Sequence, residues 1–490
     1  MAQSELTLRL SSSKLLKLQP TETSLIVAKI SSKVEISHRQ ILSAEFDSSA
    51  RVLRLSYIRK RRRRTPYSLI TVEGEVLDAE DRTVQKWTDA LMYNSYEGAG
   101  IKRGRKFKVI VNPHGGVGKG VAIYNHVVEP ILKAAGCEVT VTQTTHSGHA
   151  FEIARSLATD YDALITVSGD GLVHEVMNGF ANHEDPLKVF TIPIAPIPTG
   201  SGNGLSLNIL GIEHGFDIAV AALNAVKGRP MKVDVFSVTQ GGKRTISFMS
   251  QAIGLMADLD IGTEHLRWLG DTRFLVGLAQ GLMKHKPCPV QLSYKAVETD
   301  KIKMAESLHA WRKKAQESPS PPPSPVPFPN EQSTSTLPPT RHMDDDEEGW
   351  TTLNEPLLYV YAGKGPYVGR DLMAFPVSLP NDGLIDIVAM PLSTRKNAVA
   401  SIPNAAEGDL YWRPEVQYIK AHAYRVRPLT NKGILSVDGE HFPFEEFHVE
   451  THRELASFLS PYGYYAAEFH PTPKQKKPKK QSRSFFRKGH

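Results

Sequence analysis

The chain has 490 residues, room for two or three domains, with 40% hydrophobic and 23% charged residues, the balance of a globular protein. Its two cysteines, Cys137 and Cys288, stand far apart, which excludes a disulfide framework and a cysteine zinc site and suits a reducing compartment. No N-terminal apolar segment resembles a signal peptide and no run reaches transmembrane length, while the net charge of +7 is gathered in two basic runs.

In chain order, Leu6–Leu10, Leu25–Ala28, Val52–Tyr57 and Tyr67–Val72 have strand character, separated by polar turns. A helical pattern from Ala79 to Tyr93 places Val84, Trp87, Leu91 and Met92 on one side. Residues 1–98 thus resemble a pleckstrin-homology-type module, with a plain β-domain as the alternative. The first basic run, Arg59-Lys60-Arg61-Arg62-Arg63-Arg64, falls in a strand-connecting loop. After a linker at Gly98–Gly104, the pattern over 104–230 alternates strand and helix, with strands at Phe107–Val111, Glu138–Gln143, Ala163–Val167 and Val189–Ile197. Helices are expected over 121–135 and Ala150–Thr159 and after each later glycine loop. This alternation predicts a parallel α/β sheet with helices on both faces.

Three glycine loops follow three of these strands. The first is Asn112-Pro113-His114-Gly115-Gly116-Val117-Gly118-Lys119-Gly120, a strand-to-helix turn whose amides can cradle phosphate. Its spacing is neither Walker A nor G-x-G-x-x-G. The second is Ser168-Gly169-Asp170-Gly171, and the third is Gly200-Ser201-Gly202-Asn203-Gly204. Asp170 projects from a strand end, where open α/β sheets place their ligands. There a carboxylate can accept a hydroxyl proton or hold Mg²⁺ in phosphoryl transfer; the alternative is an N-cap on its own helix.

From Lys232 the pattern turns to β, and 231–315 with 355–468 reads as an antiparallel sandwich or barrel. A mixed stretch at Glu264–Arg273 and an apolar helix-like stretch at Phe274–Met283 interrupt it. Residues 316–354 are rich in proline and serine, then acidic, and are expected to be a disordered insertion. The tail, 469–490, is basic and expected to be disordered. Basic runs attract anionic lipid or nucleic acid.

The three loops in order, with Ser168-Gly169-Asp170-Gly171-Leu172-x-His174-Glu175-x-x-Asn178-Gly179, Gly254-x-x-Ala257-Asp258-x-Asp260 and Val437-Asp438-Gly439-Glu440, resemble the diacylglycerol-kinase-like lipid kinases. Within that superfamily the sphingosine or long-chain-base kinases are the nearest match. His114 stands where animal members commonly carry arginine. The two scattered cysteines match neither the zinc modules of diacylglycerol kinases nor the cysteine cluster of ceramide kinases.

The resemblance implies ATP and Mg²⁺ as cofactors and phosphorylation of the primary hydroxyl of a sphingoid base. A kinase for ceramide or diacylglycerol, or a catalytically silent lipid-binding adaptor, are the alternatives. It makes Asp170 the general base. Asn112, Pro113, His114, Gly115, Gly116, Gly118, Lys119, Thr144, Gly148, Glu175, Gly200, Ser201 and Gly202 would line the nucleotide. Arg267 and Arg273 would meet its phosphates, and Asp438, Gly439 and Glu440 would approach ATP or its metal. Ser168, Gly169, Asp260 and Glu264 would contact the lipid, with Asp260 on its ammonium group. His174 reads as a helix-packing residue, and the metal ligands are left open. The expected setting is cytoplasmic, held at an anionic membrane by the basic runs, without a nucleic-acid partner.

Overall fold

The computed structural model describes residues 5–29, 32–62, 65–115, 118–261, 281, 286–317, 336–342, 348–392 and 404–470. Apolar alternation builds the N-terminal part. In Leu15–Pro20 every second residue, Leu16, Leu18 and Pro20, is buried. Seven strands form one antiparallel sheet, Leu6–Leu10, Leu15–Pro20, Ser24–Lys29, Ser32–Ser37, Ile41–Asp47, Val52–Lys60 and Tyr67–Val76, in the spatial order 4-3-2-1-7-6-5. The helix Asp81–Ser95 buries Val84, Trp87, Leu91 and Met92, and the Tyr96 hydroxyl after it donates to the Leu42 carbonyl at 2.7 Å. The strands Leu15–Pro20, Ser32–Ser37 and Ile41–Asp47 were not expected; each is short and interleaved with charge.

The second part is the expected parallel sheet. Its strands are Lys106–Val111, Glu138–Gln143, Ala163–Ser168 and Ile194–Pro198, in the order 2-1-3-4. Ala163–Ser168 is buried along its whole length, as a strand covered on both faces must be. The fourth strand is shorter than the expected Val189–Ile197. Asp185 caps a short helix, Pro186–Val189, by accepting from the Lys188 amide at 3.2 Å, and Pro186 suits its first turn.

The expected α/β sheet and β-sandwich are both present, and the C-terminal strand joins them. Phe447–Ser460 pairs in parallel with Ile194–Pro198 and antiparallel with both Arg229–Gln240 and Gln417–Pro428, so the two layers share one 15-stranded sheet. The apolar alternation of this strand breaks at Arg453-Glu454. Glu454 there adopts φ +55°, and its amide donates to Asp234 at 2.9 Å, where residues 453–455 bulge between the pairs Val233–Ala456 and Val235–His452.

Three further expectations change. The helix Lys301–Glu317 was missed; Asp300 accepts from the Ile302 and Lys303 amides, and Met304, Ala305 and Leu308 are buried. Residues 318–335 and 343–347 of the expected disordered insertion lie outside the described residues, but its flanks are fixed. Thr351–Leu353 is a strand paired with Val290–Glu298, and Glu450 accepts from the Arg341 and His342 amides. The expected tail begins too early, since Phe469 is buried and stacks on Trp412, 5.7 Å between centroids. Residues 471–490 lie outside the described residues. Among those described, both cysteines are free, and no helix is long and apolar enough to cross a membrane.

Candidate active site

The loops meet at the carboxyl edge of the parallel sheet because each leaves its strand still bonded to a neighbour. Asn112 N donates to Val167 O, Thr144 N to Val111 O and Thr199 N to Ser168 O, at 3.1, 2.9 and 3.1 Å. In the first loop the Asn112 carboxamide accepts from the His114 amide at 2.9 Å and shapes the turn. A β-carbon on Gly120 would lie 2.4 Å from the Asn112 carbonyl, so only glycine closes it. Pro113 and Gly115 sit half-buried inside this turn, and Gly118 and Lys119 are exposed at its far end. Gly116 lies outside the described residues.

The second and third loops cross backbone on backbone. A β-carbon on Gly200 would lie 2.4 Å from the Gly169 α-carbon, and one on Gly169 would lie 3.1 Å from the Gly200 α-carbon. Asn203 locks the third loop in a left-handed conformation, φ +49°, accepting from Gly200 N at 3.0 Å and donating to Gly200 O at 2.7 Å. Ser168 points back at its own loop, its hydroxyl donating to Gly169 O.

That crossing delivers Asp170 to the next helix. Gly169, not Asp170, occupies the N-cap of the helix Asp170–Ala181. The Asp170 carboxylate accepts instead from the Gly204 and Leu205 amides, at 2.7 and 3.2 Å, at the start of the helix Gly204–Leu210. Burial pushes its pKa up to about 6; the two amides pull the other way, and Asp438 adds to the rise. Gly202 and Ser201 flank it, a β-carbon on Gly202 falling 3.8 Å from Asp170 Oδ2. Two amide donors leave carboxylate lone pairs free for a third partner.

Glu175 and Asp438 are placed differently from expectation. Glu175 accepts from the Ala150 amide at 3.0 Å, holding the start of the helix His149–Arg155, where Gly148 turns with φ +85° beside buried Thr144. Asp438 does not face outward. Oδ1 accepts from Ser247 Oγ and the Met249 and Ser250 amides; Oδ2 meets His174 Nδ1 at 2.8 Å and the Phe248 amide at 3.2 Å. Its side chain has no exposed surface and no lone pair to spare for a metal. Burial alone would lower the His174 pKa, but the hydrogen bond and charge of Asp438 raise it. His174 and Asp438 thus join the helix of the second loop to the sandwich, 264 residues on in sequence. Asn178 adds to the join by exchanging hydrogen bonds with both polar backbone groups of Ile246. Sequence reasoning quoted Asn178 and Asn203 in their motifs but assigned them no role; an asparagine one turn after His174 was the available signal.

Asp438 and Gly439, φ +51° and +86°, make the tight turn of a hairpin that carries the exposed Glu440 inward. Glu440 Oε1 lies 3.0 Å from where a β-carbon on Gly171 would be, next to Asp170 in the chain. Asp260 ends the helix Leu255–Asp260 and accepts from Ser436 Oγ at 3.2 Å; burial and its charge raise the pKa of Tyr361. Beside it runs a narrow apolar slot lined by Met256, Tyr359, Tyr361, Leu372, Val388 and Tyr418. Glu264, Arg267 and Arg273 lie outside the described residues. Among the described residues no group of three or more His, Cys, Asp or Glu could hold a metal by itself.

A carboxylate poised near pH 6 between glycine loops, on a parallel sheet continuous with a β-sandwich, defines a lipid kinase with a diacylglycerol kinase catalytic domain. Residues 106–238 match the family of that description, and 341–452 match the YegS C-terminal NAD kinase beta sandwich-like domain. Sphingoid long chain base kinase 4 of Schizosaccharomyces pombe is 32% identical over 366 residues, covering 74% of this chain and 76% of its own. Sphingoid long chain base kinase 5 of Saccharomyces cerevisiae is 30% identical over 79% of this chain and 63% of its own, and sphingosine kinase 2 of Homo sapiens 25% identical over 84% and 82%. The chain belongs to the sphingoid long-chain base kinase family.

Proposed function

We propose that the protein transfers the γ-phosphoryl group of ATP to the primary hydroxyl of a sphingoid long-chain base. The observation that carries this reading is Asp170, fixed by two helix-start amides and with its pKa raised to about 6. It takes the hydroxyl proton as the oxygen bonds to the γ-phosphorus and the bond to the β–γ bridging oxygen breaks, releasing ADP. The first and third loops cradle the phosphates through backbone amides. Glu264 contacts the lipid, and Arg267 and Arg273 neutralise the charge of the transferring group. Mg²⁺ takes few protein carboxylates and several phosphate and water oxygens, and exposed Glu440 beside Gly171 suits that partial set better than Asp438. Bound there, the metal would offset phosphate charge. The alkyl chain enters the apolar slot beside Tyr361.

The N-terminal sheet and its helix act as a pleckstrin-homology-like module, and the Arg59–Arg64 run with the basic tail draws the enzyme to an anionic membrane. The substrate test is turnover of labelled ATP with sphinganine, phytosphingosine, sphingosine, ceramide and diacylglycerol. A long-chain base should dominate; preference for a neutral lipid overturns the substrate assignment. Asp260→Asn should cost at least about tenfold in kcat/KM for the base, through loss of the ammonium partner, and leave KM for ATP near its parent value. Unchanged base kinetics would remove Asp260 from the site.

A further inference from the structure

A second cleft, about 670 Å³, lies at the far end of the helix Gly204–Leu210 from Asp170. Its size is that of a small-molecule site, yet none of the catalytic groups above reaches it. One wall is the helix Lys301–Glu317, where His309, Arg312, Lys313 and Gln316 stand at i, i+3, i+4 and i+7 and so share one face. Arg312 is fixed in that wall, donating to Tyr465 O at 3.1 Å with its guanidinium 5.3 Å from the Tyr464 ring centre. His309 Nε2 is buried and has no hydrogen-bond partner among the described residues.

The opposite wall is the turn Gly211–His214. Its Glu213 carboxylate is held by Lys60 at 3.3 Å, which neutralises it and brings the basic hairpin loop to the rim. Burial lowers the Arg312 pKa, and Glu468, the other carboxylate of the cleft, opposes that shift. The lip carries Ile212 and Tyr462, 47% and 48% exposed, an unusual pair to leave in water. Apolar and aromatic side chains beside cations are the pattern of a surface that rests on a membrane interface.

We propose that this cleft seats the phosphorylated headgroup of an anionic lipid, with Arg312 and Lys313 as its phosphate donors and Ile212 and Tyr462 in the interface. Arginine and lysine on one helix face suit a phosphomonoester, which accepts several charge-assisted hydrogen bonds at once. The inference deepens the membrane reading above, because it adds headgroup selection to general attraction by basic residues. It stands apart from the kinase reading.

The test is co-sedimentation of the full chain with phosphatidylcholine vesicles doped with a phosphoinositide, or with phosphatidylserine at matched surface charge. The parent should prefer the phosphoinositide vesicles. Arg312→Gln with Lys313→Gln should weaken that binding by about tenfold or more, the loss of charge-assisted bonds to phosphate. Lys313→Glu alone, at a side chain 76% exposed, should do the same in direction without threatening the fold. Neutralising Arg59, Arg61 and Arg62 should lower binding to both vesicles and leave the preference intact. Turnover of a detergent-dispersed base should be unchanged in the cleft variants, which separates failure of this inference from failure of the kinase assignment. Equal binding to both vesicle types, or a preference that survives Lys313→Glu and the double variant, overturns the proposal. Soluble inositol trisphosphate supplies the second arm: binding of it that the cleft variants abolish supports the site, and binding of it with no vesicle preference overturns the lipid source.

Discussion

Asp170 is held by bonds that have nothing to do with its own helix. Its carboxylate terminates a neighbouring helix, so its position is set by two loops at once. Asp170→Asn should lower turnover by about 10²–10⁴-fold, the usual loss of a general base, while ATP binding persists. In the parent, kcat/KM should rise with pH through about 6 as the carboxyl ionises. The same shift has a sign for stability. A carboxyl whose folded pKa is raised from 3.8 to about 6 favours folding most when protonated, and this contribution is lost as pH rises through about 6. The melting temperature of Asp170→Asn should therefore improve relative to the parent between pH 5 and pH 8. A constant difference would show that the carboxyl titrates normally. Gly200→Ala tests the crossing itself. Its β-carbon would fall 2.4 Å from the Gly169 α-carbon, a backbone atom that cannot rotate away. Overpacking of this kind costs about 1–3 kcal/mol, and separating the loops should also displace Asp170 and abolish turnover. Thermal melting with a turnover assay reads both, and a fully active, stable Gly200→Ala would refute the close approach.

The insertion divides into parts of different weight. Its return segment is tied to the sandwich: Arg244 donates to Pro338 O at 2.8 Å, Glu450 accepts from Arg341 and His342, and Thr351–Leu353 adds a strand. Replacing 318–335 by a glycine-serine linker of equal length should leave turnover within a few-fold, since loop-closure entropy depends on length and varies slowly with it. Applying the same change to 336–353 should lower the melting temperature and solubility, because Leu337 and Leu353, which pack against the apolar cores, are lost. Equal tolerance of both replacements would contradict the tethering. The proline and acidic composition of this region predicts disorder from composition alone. It does not register three residues that find a partner strand.

A single apolar core runs from the N-terminal sheet through the α/β layer, so the two parts are not separate bodies. Two side chains of the α/β layer fasten their boundary by donating to carbonyls, Arg229 to Ala99 O and Lys227 to Ser95 O at 2.7 Å. Lys227 has no exposed surface; burial and nearby Arg39, Arg103 and Arg105 lower its pKa to about 6. At neutral pH it is an amine lying over the Tyr96 ring. The unfolded chain keeps this group protonated up to about 10.5, so it opposes folding least at high pH and more as pH falls toward 6. Lys227→Met should flatten the rise in stability between pH 6 and pH 9. Parallel curves for parent and variant would mean that Lys227 stays charged.

What the sequence determined is local and repetitive. Period-two and continuous apolar runs mark the strands of the α/β layer, and glycines mark loops where a side chain would collide, so the gathering of the loops at the strand ends was legible from one chain. The substrate class followed only through the resemblance of several motifs taken together. Tertiary structure decided the rest, because those residues act through partners far away in sequence. Asp438 reads as a residue that approaches ATP or its metal until His174 and the Ser247–Ser250 turn are seen to occupy every lone pair, which leaves Glu440 as the exposed carboxylate of that hairpin. Phe447–Ser460 reads as one more sandwich strand until it is seen to pair with Ile194–Pro198. A strand's own residues specify its pattern of burial, but its neighbour is chosen by which hydrogen-bonding edge the whole fold leaves open.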